Sequence, residues 1–342
     1  MARGVFRRIV DAVAFRTPFT VVPDQGFPNP PADTDDPRLS HRLVEWNGEP
    51  ADVVLLGVPF DFGVTLGGGR AGAAQGPAAL RRALRRFGTT FDLECGIDFD
   101  RLRLADAGDL DVLESDVAGT HSRLTEAALA ILRTGSLAVV VGGGNDATFA
   151  SVEALQRVRG AVAGINVDAH LDVRPVIDGR ITSGTPYRRI VEELGIAGGK
   201  LIEFGLHAHV NSKKHYEWAR SVGVQCWTLA RAREHGLAEL FASELTRIES
   251  GVMALFVSID LDVFAAAYAP GVSAPGTDGL TPAEGRAIAH AAGKSRKVRL
   301  FELMECNPLF DQDERTARLA AMLLAAFVSG VAARNPESGD SR

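Results

Sequence analysis

From residue 51 onward, short apolar runs rich in β-branched residues alternate with longer stretches in which apolar positions recur at helical spacing. The short runs fall at 53–56, 102–105, 137–141, 162–167, 201–204, 224–228, 255–259 and 298–303. They are apolar at nearly every position rather than at alternate ones, the pattern of strands buried on both faces of a parallel sheet. The longer stretches, 77–87, 116–133, 149–158, 212–220, 237–248, 282–292 and 315–329, carry Gly or Pro at their borders and read as helices. Together they predict a three-layer α/β/α fold with an eight-stranded, mostly parallel sheet, helices on both faces, across residues 51–334. No Gly/Ser linker or internal repeat divides that span. Residues 1–50 are punctuated by Pro18, Pro23, Pro28, Pro30, Pro31 and Pro37, which predicts an arm laid over the domain with a short helix at 5–15. Residues 335–342 are polar and read as a disordered tail.

Composition narrows the function. With 46% hydrophobic and 23% charged residues, the 342-residue chain has apolar material enough to offset the entropy of folding, which excludes an unfolded chain. The net charge is −6 and no Lys/Arg block is present, so nucleic acid is not an expected partner. Cys95, Cys226 and Cys306 are odd in number and lack CxxC spacing; they suggest packing residues in a reducing, cytoplasmic compartment rather than a disulfide framework. The apolar run 319–333 is broken by Ser329 and Gly330 and falls short of the ~18 residues of a membrane span, so it reads as a buried helix. Asp11 interrupts the arginines near the N-terminus, and no secretion signal is read there.

The chemistry concentrates at the ends of two predicted strands. Asp168, His170 and Asp172 follow the run 162–167, and Asp260 and Asp262 close the run 255–259. Side chains two apart on an extended chain share a face, so each set points together off a strand's C-terminal end, where open α/β sheets place ligands. Taken singly, each is also the composition of a polar loop whose acids cap turns. If the two face each other, four carboxylates converge on one imidazole and cannot all stay ionised without cations. Two divalent ions would neutralise them, and an oxygen-rich set with one nitrogen suits Mn²⁺ better than structural zinc, with Mg²⁺ and Fe²⁺ left open. The triple glycines 67–69 and 142–144 lack the Lys-Ser/Thr of a phosphate loop, and close backbone packing near a metal centre explains them instead. His207 and His209 fall on the same rim, as substrate contacts or as solvated histidines.

Six segments resemble the ureohydrolase family that contains arginase, agmatinase and formimidoylglutamase: GVTLGGGRAGAAQGPAALR (63–81), VGGGND (141–146), NVDAHLDVRP (166–175), SGTPYR (183–188), SIDLDVFAAAYAPGVSAPG (258–276) and ELMECNPLFDQDERTARLAA (302–321). Within it the DAHLDVRP, DVFAAAYAPGVSAP and CNPLFDQDERTARLAA stretches look most like formimidoylglutamase. The resemblance implies an arginase-like fold and a homo-oligomer, a trimer or hexamer, with two Mn²⁺ per chain. Asp168 and Asp260 would bridge the ions, Asp172 would complete the site beside Asn145, and His170 and Asp262 the other. Where the family usually places a metal-binding histidine this chain has Asn145, whose amide gives at best a weak or water-mediated ligand, so that site is expected to be the weaker; formimidoylglutamase-like members share the form.

The implied activity is hydrolysis of a C–N amidine bond, N-formimidoyl-L-glutamate plus water giving L-glutamate and formamide in histidine breakdown. Asp172 would move the proton and Glu305 would receive the amidinium. Arg174 and Arg188 are the candidates for the substrate carboxylates, or else surface arginines. Two other readings stand: a guanidino hydrolase releasing urea from arginine, agmatine or a guanidino acid, and a catalytically silent member serving as a binding or regulatory subunit.

Overall fold

The structure is a computed structural model, which describes residues 17–27, 35–86 and 88–334. The expected helix at 5–15 and the tail from 335 lie outside these residues. All eight predicted strands are present, as β3 (Val53–Gly57), β4 (Leu104–Leu110), β5 (Leu137–Val141), β6 (Val162–Val167), β7 (Leu201–Leu206), β8 (Gln225–Thr228), β9 (Ala254–Asp260) and β10 (Val298–Met304). They are mutually parallel in the order β4-β3-β5-β10-β9-β6-β7-β8.

The sheet has ten strands rather than eight, because two pieces of the N-terminal arm join it. On the outer edge of β4, β2 (Leu43–Glu45) pairs parallel and β1 (Thr20–Val21) pairs antiparallel. Strands of two and three residues show no periodicity, so pattern reading passes over them. They cover an edge that would otherwise offer unpaired N–H and C=O groups.

Among the described residues, eight helices of seven or more residues form the outer layers. On one face lie α1 (Gly76–Leu84), α6 (Leu237–Ile248), α7 (Pro282–Lys294) and α8 (Arg315–Ala332); on the other lie α2 (Val117–Arg133), α3 (Thr148–Arg159), α4 (Pro186–Glu192) and α5 (Lys213–Ser221). Alternation along each strand builds the two cores: Val139 and Val141 face the first layer, Ala138 and Val140 the second. Among the described residues, α8 is the one helix long and apolar enough to cross a membrane, and 72% of it is buried inside the fold. Cys226 and Cys306 are buried as expected, whereas Cys95 is exposed, in the short connection of a two-stranded ribbon, Phe91–Asp92 with Ile97–Asp98.

The order of the strands is what makes the site. After β5 the chain skips two places, lays down β6, β7 and β8 outward, then returns to fill the gap with β9 and β10. The C-terminal ends of β5, β10, β9 and β6 therefore stand side by side in mid-sheet. Their register is level, with Val141 beside Leu303, Met304 beside Asp260 and Ile259 beside Val167.

Candidate active site

Each of those four strand ends delivers part of the site. Asn145 follows β5, Glu305 follows β10, Asp260 ends β9 with Asp262 just beyond, and Asp168, His170 and Asp172 follow β6. Their carboxylate and imidazole atoms form two groups, Asp168/His170/Asp262 and Asp168/Asp172/Asp260, the ligand atoms of each within 4.8 Å of one another. Asp168 belongs to both. The family resemblance implies two sets that share both Asp168 and Asp260; here Asp168 is common to both groups, Asp260 stands with Asp172 alone, and His170 and Asp262 form the group without Asp172.

Backbone hydrogen bonds hold the aspartates. Asp168 Oδ1 accepts from the His170 amide at 2.6 Å, and Asp260 Oδ1 from the Asp262 amide at 2.9 Å, which turns the chain sharply at both strand ends. Asn166 steadies the other Asp168 oxygen at 3.2 Å and reaches buried Glu203 at 2.8 Å. Asp172 and Glu305 adopt left-handed backbone, φ 46° and 66°. Non-glycine residues take that conformation at a cost of order 1–3 kcal/mol, and it clusters where a side chain must be aimed at a ligand. Gly143 shows why the preceding turn excludes side chains: a Cβ there would sit 1.9 Å from the Phe60 carbonyl oxygen.

Asn145 is fully buried beside the second group. Its side-chain nitrogen donates to Asp172 at 2.8 Å and Asp168 at 3.3 Å, its Oδ1 accepts from the Thr148 hydroxyl at 3.0 Å, and its backbone amide donates to Glu305 Oε1 at 3.0 Å. In this orientation the amide oxygen faces away from the carboxylates. Thr148, three residues on at the start of α3, and Asn166 were not singled out by spacing; both are short polar residues flanking a motif, the only signal they offered.

The electrostatics call for cations. Burial first, then the neighbouring carboxylates, push the Asp172 and Asp260 carboxyls well above their ordinary range; burial and Asp262 do the same to Glu305, against the Asn145 amide. Asp262 is pushed up to about 6 by burial, with His170 opposing. At His170 burial works against the charged ring, but Asp262 at 3.1 Å and Asp168 at 3.4 Å outweigh it and lift the imidazole to about 12. Asp262 Oδ1 and Glu305 Oε2 are buried with no hydrogen-bond partner among the described residues. Two divalent cations would satisfy these groups, so the donor set fits a binuclear centre.

Above the cluster opens a cavity of about 260 Å³. Its floor is His170, Asp172, Asp260, Asp262 and Glu305, and its walls come from Gly67–Gly69, Ser183–Gly184 and Ser273–Ala274. Arg174 lines it too, lying so close over Gly184 that a Cβ there would meet its Cδ at 2.8 Å. Arg188 does not line it. Its guanidinium pairs with Glu192 at 2.9 Å and lies 4.6 Å over the Trp218 ring. His209 is exposed, and His207 is half-buried with Nε2 unpartnered among the described residues, outside the lining.

The model of the arginase family matches residues 51–329. Formimidoylglutamase of Halobacterium salinarum is 36% identical over 287 residues, 82% of this chain and 88% of that protein. The crystal structure of Trypanosoma cruzi formiminoglutamase with two Mn²⁺ superposes with a TM-score of 0.82 at 36% identity, covering 88% of this chain and all of that one. Proclavaminate amidinohydrolase of Streptomyces clavuligerus is 30% identical over 279 residues, 81% of this chain and 87% of that protein. Fold and site together define a hydrolase of the binuclear-metal class. The chain belongs to the arginase family.

Proposed function

We infer that this chain hydrolyses the C–N amidine bond of N-formimidoyl-L-glutamate, giving L-glutamate and formamide, with two Mn²⁺ per chain. The observation that carries this reading is the single cavity lined by the carboxylate cluster, by Asp172 and Glu305, both on left-handed backbone, and by Arg174. Asp168 and Asp260 would bridge the ions, His170 and Asp262 would complete one site, and Asp172 the one beside Asn145. Two bound cations supply Lewis acidity, lowering the pKa of water enough to provide a nucleophile near neutral pH.

The chain's own groups do the rest. Asp172 takes a proton from the attacking water and returns it to the departing glutamate nitrogen. Glu305, one oxygen held by the Asn145 amide, has its second free to accept the amidinium N–H. Arg174 offers a planar fork to a substrate carboxylate at the mouth. Asn145 fastens Asp168 and Asp172 in place. Contributing oxygen to an ion would require its amide to turn over and give up Thr148, so the adjacent metal site is the weaker of the two. Arg188 stands behind Arg174 as the alternative carboxylate partner, after release from Glu192. The protein would act in the cytoplasm as a homo-oligomer, a trimer or hexamer.

The runner-up is a guanidino hydrolase releasing urea. The match to proclavaminate amidinohydrolase favours it, and Glu305 would accept a guanidinium as readily as an amidinium. Specificity constants for formimidoylglutamate, agmatine and arginine under saturating Mn²⁺ decide between the two. A preference for agmatine or arginine would overturn the inference, and absence of turnover with both metals bound would favour the silent binding subunit.

A further inference from the structure

Far from the active site, four arginines gather at the opposite, N-terminal edge of the sheet. Arg299 is the second residue of β10, Arg296 sits in the turn before it, Arg334 follows α8 and Arg159 ends α3. At about 3.3 Å per residue, Arg299 lies some 20 Å along β10 from Glu305. Arg296, Arg299 and Arg334 line a cavity of about 220 Å³ together with Asp52 and Gly135.

Among the described residues the cluster is held in place without being neutralised by a carboxylate. Arg299 donates to the Gly135 carbonyl just past α2, Arg296 to that of Arg334, and Arg334 to those of Gly293 at 2.6 Å and Val298 at 3.3 Å. Helix C-terminal ends carry only about half a negative charge each. None of the four arginines is ion-paired with a carboxylate among the described residues. The one acid on the wall, Asp52, accepts the Arg103 amide at 2.8 Å. The Nε groups of Arg299 and Arg159 are buried without an acceptor among the described residues. Burial and mutual repulsion lower both Arg299 and Arg334, the latter to about 10, so positive charge is here in excess.

We propose that this arginine cavity is a binding site for a compact divalent oxyanion, distinct from the active site. Fixed guanidinium forks suit tetrahedral or carboxylate oxygens, and the volume is below that of drug-sized pockets, roughly 300–1,000 Å³. The oxyanion comes from solution or from the carboxylates of Glu337 and Asp340, which follow Arg334 in the sequence.

Calorimetric titration of sulfate into the Mn²⁺-loaded protein at low ionic strength tests this. The expected result is one saturable site per chain, weakened at least tenfold in Arg299→Gln and Arg334→Gln and unchanged in Arg174→Gln. Arg159→Gln removes charge at a guanidinium that makes no hydrogen bond among the described residues, so it should fold normally and still weaken binding several-fold. A Glu337→Gln/Asp340→Asn variant that binds sulfate more tightly than wild type identifies the chain's own carboxylates as the competing occupant; one that binds equally assigns the site to solution anions. Absence of saturable binding in both wild type and that double variant, equal binding by every variant, or loss in Arg174→Gln alone would overturn the proposal.

Discussion

The side-chain amide of Asn145 donates to Asp172 across 2.8 Å, occupying the carboxylate with a hydrogen bond at the position where the family usually has an imidazole ligand. On the proposed assignment the two metal sites would be unequal in donors, one with His170 and the other with a reoriented amide at best. Calorimetry with Mn²⁺ should give one tight and one weaker event in the wild type, and Asn145→His should tighten the weaker by roughly tenfold or more. Two equally tight sites in the wild type, or no tightening in the variant, would rule this out.

Asp260→Ala should abolish Mn²⁺ retention and lower turnover by about three orders of magnitude, because in the proposed bridging role one carboxylate would answer for both cations. Metal analysis after gel filtration, together with kcat, checks it. A variant that keeps two ions and full activity would remove Asp260 from the centre.

Arg174→Gln should raise KM for formimidoylglutamate by roughly 10- to 100-fold with a smaller effect on kcat, the loss of a charge-assisted contact shared by ground and transition states. Arg188→Gln should do less, since its guanidinium is already engaged by Glu192 and Trp218. An unchanged KM in both variants would leave the dicarboxylate without its recognition element.

These cases show which parts of the site a sequence can display. Asp168, His170, Asp172, Asp260 and Asp262 were legible because each set falls at the C-terminal end of a readable strand, although the chain turns there rather than staying extended. Glu305 was legible through its segment and its β run. The cavity walls were not: Gly67–Gly69, Ser183–Gly184 and Ser273–Ala274 are brought over the cluster by loops far apart in the chain, and no period records which loop leans inward. Arg174 and Arg188 looked equivalent because the contact separating them, Trp218, is tertiary. The central strands were readable from continuous apolar runs, whereas β1 and β2 owe their existence to the free edge of β4.

Glu302 offers a test of the buried floor. It lies in β10 behind the site, both oxygens without a hydrogen-bond partner among the described residues, and burial lifts its carboxyl from 4.5 to about 7 against the pull of the Ser151, Thr148 and Ser258 hydroxyls. The folded state thus holds this proton more tightly than the unfolded chain. Its contribution is fully present below pH 4.5 and is lost as pH rises through about 7, to the extent of about 3 kcal/mol. Glu302→Gln should therefore gain stability relative to wild type between pH 5 and 8, measured by denaturant unfolding at fixed Mn²⁺. A difference independent of pH would mean that Glu302 does not titrate there.

The central claim is amidine hydrolysis at a two-metal centre, and product analysis before and after metal restoration tests it most directly. Protein stripped by chelation is incubated with formimidoylglutamate labelled at the formimino carbon, then supplied with Mn²⁺, and the carbon is followed by NMR. The expected result is no turnover in the stripped protein and stoichiometric formamide and L-glutamate once Mn²⁺ is restored. Formamide at an undiminished rate without metal, or no product from formimidoylglutamate while agmatine or arginine yields urea, would contradict it.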